Sequence, residues 1–161
     1  MTEKFSIISS NEAHTCDIAR KIAPLFQPGD TIILDGNLGA GKTYFVKGFS
    51  DGFHTVDVVN SPTFSIANFY RAGLTELLHI DLYRISTIDE LNDLGLFDYF
   101  EQSIVLVEWG KKFADYFESY LLISFRINEE STRVLTFTSQ GDKYKTKITE
   151  LQKLLKGDDI C

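Results

Sequence analysis

The stretch Gly36-Asn37-Leu38-Gly39-Ala40-Gly41-Lys42-Thr43 constrains this chain more than any other. It matches G-x-x-x-x-G-K-[ST], the phosphate-binding loop, whose context is a strand before it and a helix after it. Thr31-Ile32-Ile33-Leu34-Asp35 is apolar and β-branched and reads as a buried strand; Tyr44-Phe45-Val46-Lys47-Gly48-Phe49 reads as a helix. Gly36, Gly39 and Gly41 are expected to take backbone angles that side chains forbid, turning successive N–H groups toward one anion. The following helix adds its positive N-terminal end. Lys42 supplies a point charge for β- and γ-phosphates, and the Thr43 hydroxyl is placed to ligate Mg²⁺. A bare glycine turn with a surface lysine is the alternative, and the flanking strand and helix argue against it.

The 161 residues suit one domain, 1–161, with a sizeable core. With 43% apolar and 13% aromatic residues the chain reads as globular. No apolar run approaches the length that spans a bilayer, and Met1-Thr2-Glu3-Lys4 lacks a signal-peptide core. Cys16 and Cys161 offer neither a disulfide framework nor metal spacing, so a reduced, cytoplasmic protein is expected. The net charge of −7 argues against a protein that grips nucleic acid unaided.

Phe5-Ser6-Ile7-Ile8 reads as a strand, followed by a helix with Ser9 and Glu12 in capping-box spacing. Gln27-Pro28-Gly29-Asp30 turns the chain into the strand before the loop. Asn68 and Tyr70 share one side of an extended segment, Ala72-Gly73 turns it, and Leu77-Leu78-His79-Ile80-Asp81 pairs back: a β-hairpin. A hairpin in such a domain makes the sheet mixed. Thr87 and Glu90 form a second capping box, opening a helix carrying Leu91, Leu94 and Tyr99. Ile104-Val105-Leu106-Val107 is the most buried-looking strand and ends in Glu108-Trp109-Gly110. Two late strands, Tyr120–Phe125 and Arg133–Phe137, precede a terminal helix over 143–156 with Ile148, Leu151, Leu154 and Leu155 as its apolar stripe.

A phosphate loop needs an acid at a strand end to hold Mg²⁺. Asp81 and Glu108 both qualify, and the pattern alone does not choose between them. No N-K-x-D element is present to read guanine, so adenine is the better guess. The scattered arginines, Arg20, Arg71, Arg84, Arg126 and Arg133, count against a kinase lid. Ser61-Pro62-Thr63-Phe64 occupies the place of a γ-phosphate-sensing switch segment. Lys143, Lys145, Lys147, Lys153 and Lys156 read as a solvated helix face. His79 reads as a packed strand histidine.

Together, Leu38-Gly39-Ala40-Gly41-Lys42-Thr43, Ser61-Pro62-Thr63-Phe64, His79-Ile80-Asp81-Leu82-Tyr83-Arg84 and Val107-Glu108-Trp109 resemble, in order and spacing, the TsaE (YjeE) family of bacterial ATPases needed to make threonylcarbamoyladenosine in tRNA. The resemblance runs from Ser9 to about Phe137. It implies a three-layer α/β fold of the P-loop NTPase kind, with ATP and Mg²⁺ at the loop. It implies that Thr43 and Glu108 hold the metal, that Asp81 acts beside Lys42 near the γ-phosphate, and that Thr15 and Arg133 lie close to the nucleotide. It implies TsaB–TsaD as partners, with tRNA met only through that complex, and TsaD as the transferase. Asn37, Tyr44 and Gly110 depart from the usual residues at their positions without removing a phosphate or metal group. A small-molecule kinase using the same loop is the competing expectation.

Overall fold

The computed structural model describes residues 2–60, 62, 66–128 and 132–157. Cys161 and the switch-like segment, Pro62 excepted, lie outside the described residues. Among those residues seven strands form one sheet: β1 (Lys4–Ser9), β2 (Thr31–Asp35), β3 (Ala67–Ala72), β4 (Thr75–Asp81), β5 (Ser103–Glu108), β6 (Tyr120–Ile127) and β7 (Arg133–Gln140). The helices are α1 (Glu12–Ile22), α2 (Lys42–Gly52), α3 (Ile88–Asp93) and α4 (Asp142–Leu154), with shorter 3₁₀ turns between elements.

The strand order is β1-β7-β6-β2-β5-β4-β3. The four central strands, β6, β2, β5 and β4, are parallel. The β3–β4 hairpin and the β1–β7–β6 edge are antiparallel, so the sheet is mixed as expected. Alternation sorts the central strands into two apolar faces. Ile32, Leu34, Ile104, Leu106, Leu121 and Ile123 join a core with Ile18, Ile22, Phe45, Phe49, Ile148 and Leu151 of α1, α2 and α4. Ile33, Leu78, Ile80, Val105 and Val107 point the other way, onto Leu82, Leu91, Leu96, Phe113 and Phe117. Two covered faces explain why β2 and β5 read as nearly unbroken apolar runs, and they make the fold a three-layer α/β sandwich.

Helices α1 and α2 approach too closely for side chains at their contact. A Cβ at Gly48 would sit 2.1 Å from the Cys16 carbonyl oxygen, and one at Gly52 would sit 2.6 Å from the Ala23 Cβ. The helix that follows the phosphate loop is therefore fixed against α1.

Four local expectations need correction. The α1 cap is Asn11, whose side chain accepts from the His14 N–H at 2.8 Å. Ser9 instead bonds the Thr15 hydroxyl at 2.6 Å and donates to the Asn11 carbonyl at 2.9 Å, two residues too early to cap. Helix α3 is capped by Thr87 as expected but stops at Gly95, whose φ of 67° is left-handed, so Tyr99 lies on the next 3₁₀ turn. Leu154 is 43% exposed, and Tyr144 takes its place in the buried stripe of α4, its hydroxyl accepting from the Thr31 N–H at 2.8 Å. Lys143 and Lys147 fold back onto the buried Asp30 at 2.9 and 3.7 Å, so part of the basic terminal run braces the fold.

Candidate nucleotide site

The parallel register brings the acids together. Asp81 pairs with Glu108 across β4 and β5, and Glu108 pairs with Leu34 across β5 and β2, one residue before the loop strand ends. The carboxyl ends of three parallel strands thus meet at the loop, the place where open α/β sheets bind ligands. Glu108 follows Ile104 and Leu106 at even spacing, and Asp81 and His79 follow Leu77, so all three face the side that carries α2.

The loop from Gly36 to Gly41 crosses over these strand ends and enters α2 at Lys42. Gly39 and Gly41 take φ of 80° and 103°, with open space where a Cβ would stand, so they are needed for their angles. Gly36 serves otherwise than expected: its φ is not left-handed, but a Cβ there would lie 2.9 Å from the Phe125 carbonyl oxygen and 3.2 Å from the Ala40 Cβ. Its requirement is space against β6.

Lys42 is 5% exposed. Its ammonium donates to the Gly36 carbonyl at 2.6 Å and lies 3.9 Å from the centre of the Trp109 ring. Burial pushes its pKa below the ordinary lysine value, against the opposing pull of Glu108, Asp81 and Asp35. Trp109 holds φ at 60°, an uncommon angle for a bulky residue, and its ring meets that of Tyr83 at 5.0 Å with the planes tilted by 58°. Asp81 is 5% exposed; its Oδ1 accepts from the Tyr83 N–H at 2.9 Å. Glu108 is 4% exposed, and its Oε2 accepts from His79 Nε2 at 2.6 Å.

Two clefts share Glu12, Gly39 and Gly41. The smaller, of about 220 Å³, is lined by Leu38, Ala40, Lys42, Thr43, Asp81, Glu108 and Trp109, among others. The larger, of about 450 Å³, opens between the loop and the start of α1 and is lined by Asn11, Ala13, Thr15 and Arg133. Thr15 is buried, its hydroxyl bonded to Ser9, so its part here is to shape the wall. Arg133 donates to the carbonyls of Gly39 and Ala40, each at 3.2 Å, and so braces the loop from β7. Thr15, Leu38 to Thr43, Asp81, Glu108 and Arg133 therefore line one double cleft, while Ser61, Thr63 and Phe64 lie outside the described residues. Glu12 and Tyr44 also line it and were missed. Tyr44 follows the loop motif directly; Glu12 is visible only once α1 is placed beside the loop.

The sheet order, the two covered faces and the glycine loop ahead of α2 define an α/β protein with a phosphate-loop NTPase-like fold. The family model described as "Threonylcarbamoyl adenosine biosynthesis protein TsaE" matches residues 9–135. Proteins named tRNA threonylcarbamoyladenosine biosynthesis protein TsaE are similar to it. That of Bacillus subtilis strain 168 is 40% identical over 145 residues, covering 89% of this chain and 90% of the relative. That of Streptomyces coelicolor is 34% identical over 140 residues, 81% and 93% of the two chains. The crystal structure of YdiB from Bacillus subtilis superposes with a TM-score of 0.82 at 33% identity, covering 95% of this chain and 97% of that one. The chain belongs to the TsaE family.

Proposed function

We propose that this chain binds and hydrolyses ATP with Mg²⁺ and is required, together with a TsaB–TsaD pair, for threonylcarbamoyladenosine modification of tRNA. The observation that carries the hydrolytic part is the convergence of Lys42, Thr43, Asp81 and Glu108 on one cleft at the loop. Family membership and the names of the relatives carry the tRNA part.

The donor set suits Mg²⁺: a hydroxyl from Thr43 and a carboxylate from Glu108 are hard oxygen ligands, and Mg²⁺ favours one or two carboxylates plus substrate phosphates. When bound, the ion neutralises charge on the β- and γ-oxygens. The chain's own residues do the rest. Backbone N–H groups from Gly39 to Thr43 cradle the phosphates. Lys42 exchanges the Gly36 carbonyl for a phosphate oxygen. Asp81, its Oδ1 held by the Tyr83 N–H, acts beside Lys42 near the γ-phosphate, where it orients the attacking water. The cleft beside Thr15 and Arg133 has room for the nucleoside.

The test is single-turnover phosphate release by the isolated chain with ATP and Mg²⁺. Release is expected from the wild type and lost in Lys42→Ala, because electrostatic stabilisation supplies most of phosphoryl-transfer catalysis. Unchanged hydrolysis in that variant overturns the assignment. A phosphorylated metabolite in place of free phosphate would instead favour a small-molecule kinase.

A further inference from the structure

Glu108 is a carboxylate almost wholly removed from water, and such a group needs hydrogen bonds to offset lost solvation. Its Oε2 receives one from His79 Nε2 at 2.6 Å. The imidazole has no exposure at all, and its Nδ1 hydrogen-bonds the Tyr70 hydroxyl at 3.1 Å. Tyr70, 2% exposed, also reaches the Asn60 carbonyl at 2.8 Å, with the Asn68 amide bonding that same carbonyl at 3.2 Å. The chain of bonds runs across β5, β4 and β3 and ends on backbone. A fully buried histidine needs both ring nitrogens engaged, and here the partner of one of them is the Glu108 carboxylate; an aliphatic side chain would bury there without any polar cost but would leave that carboxylate oxygen unpaired.

We propose that His79 is a positioning residue for Glu108. It fixes the rotamer of the carboxylate by engaging Oε2, leaving Oε1 for the cation, and Tyr70 fixes the ring. The inference rests on the reading of Glu108 as a Mg²⁺ ligand. Hydrogen-bonded partners of metal ligands hold their orientation, and losing one typically lowers metal affinity by about 10- to 100-fold.

The experiment measures, by calorimetry on the full chain, the affinity for a non-hydrolysable ATP analogue with Mg²⁺ and with EDTA. The ratio isolates the metal's contribution from phosphate and base binding. His79→Asn keeps a polar group toward Tyr70 but loses the donor to Glu108, and should lower the ratio by about tenfold while metal-free affinity stays within about twofold. His79→Gln, whose amide reaches the place of Nε2, should restore most of it. Tyr70→Phe removes one hydroxyl and should lower the ratio by a smaller factor; it decides the matter if His79→Asn does not fold. Wild-type ratios in both His79→Asn and Tyr70→Phe, or in Tyr70→Phe alone where the asparagine variant is unfolded, overturn the inference. So does an equal loss of metal-free affinity in the asparagine and glutamine variants. A wild type indifferent to Mg²⁺ removes the metal reading itself and the inference with it.

Discussion

The Lys42 ammonium rests between the Gly36 carbonyl and the Trp109 ring, and its burial outweighs the pull of the neighbouring acids, so the site disfavours the charge it holds. Replacing it with an apolar side chain of similar length should relieve that cost. Lys42→Met is therefore expected to melt no lower than the wild type in the absence of ligand, while losing hydrolysis; stability exchanged against function is a common feature of active sites. A clearly lower melting temperature by calorimetry would show that the acids need the lysine more than the lysine suffers from burial. The same contact makes Trp109, the only tryptophan, a reporter. A phosphate that draws the ammonium off the ring should change its fluorescence on ATP or ADP binding, and a flat titration with binding confirmed by calorimetry would count against this geometry. At this scale the sequence was informative where one residue type has one use: a lysine after a glycine loop, an acid at a strand end. It could not distinguish Gly36, which needs space, from Gly39 and Gly41, which need their angles. It also could not show that His79 binds Glu108, because that bond depends on which strand lies beside β4.

Helix α2 carries the loop's lysine and threonine, and its placement depends on the contact with α1 at Gly48 and Gly52. Gly48 falls inside a helix, where alanine is intrinsically preferred by about 1 kcal/mol. The 2.1 Å approach to Cys16 decides the sign: backbone cannot yield as a flexible side chain does. Gly48→Ala is expected to destabilise by about 1–3 kcal/mol, the usual cost of overpacking, and to weaken nucleotide binding by tilting α2. Urea denaturation checks the first effect. An unchanged or raised midpoint would mean that the two helices part without consequence. Elements themselves were legible because their apolar periods are clean. Their ends were less so. Ser9 and Asn11 both look like caps before Glu12, and the choice falls to Asn11 because Ser9 still belongs to β1 and pairs with Arg133 of β7. In α4 the buried stripe differs at one position because Tyr144 buries its ring and bonds the backbone of β2 while Leu154 faces outward.

Across the whole molecule, the hairpin announced a mixed sheet, but the strand order is set by non-local pairing that no local pattern encodes. That order explains why residues as distant as Thr15, Lys42, Asp81, Glu108 and Arg133 share one double cleft. The net charge of −7 offers little gain from counterion release, and Lys143 and Lys147 are engaged with Asp30. The isolated chain should accordingly bind tRNA weakly at physiological salt; submicromolar binding in a filter assay would contradict this.

The arrangement of cations leads to a last expectation at the same scale. Phosphoryl transfer gains about 10³- to 10⁵-fold from an arginine that meets charge developing on the transferred group. Among the described residues lining the smaller cleft, Lys42 is a cation and none is an arginine. Arg133 lines the neighbouring cleft and gives its guanidinium to the carbonyls of Gly39 and Ala40, and Arg20 and Arg71 are engaged with Asp17 and Asp57. Meanwhile the rim of the cleft is apolar and open: Leu38 is 72% and Tyr83 52% exposed, beside Trp109. A surface docked over that rim would exclude water from the phosphates and strengthen every charge there. Hydrolysis by the isolated chain is thus expected to be slow and to rise when a TsaB–TsaD pair is added at fixed Mg²⁺ and salt, in a steady-state phosphate-release assay. A rate already in the range of about 1–100 s⁻¹ typical of kinases, indifferent to the pair, would mean that the cleft is catalytically complete as it stands and that the open rim serves some other purpose.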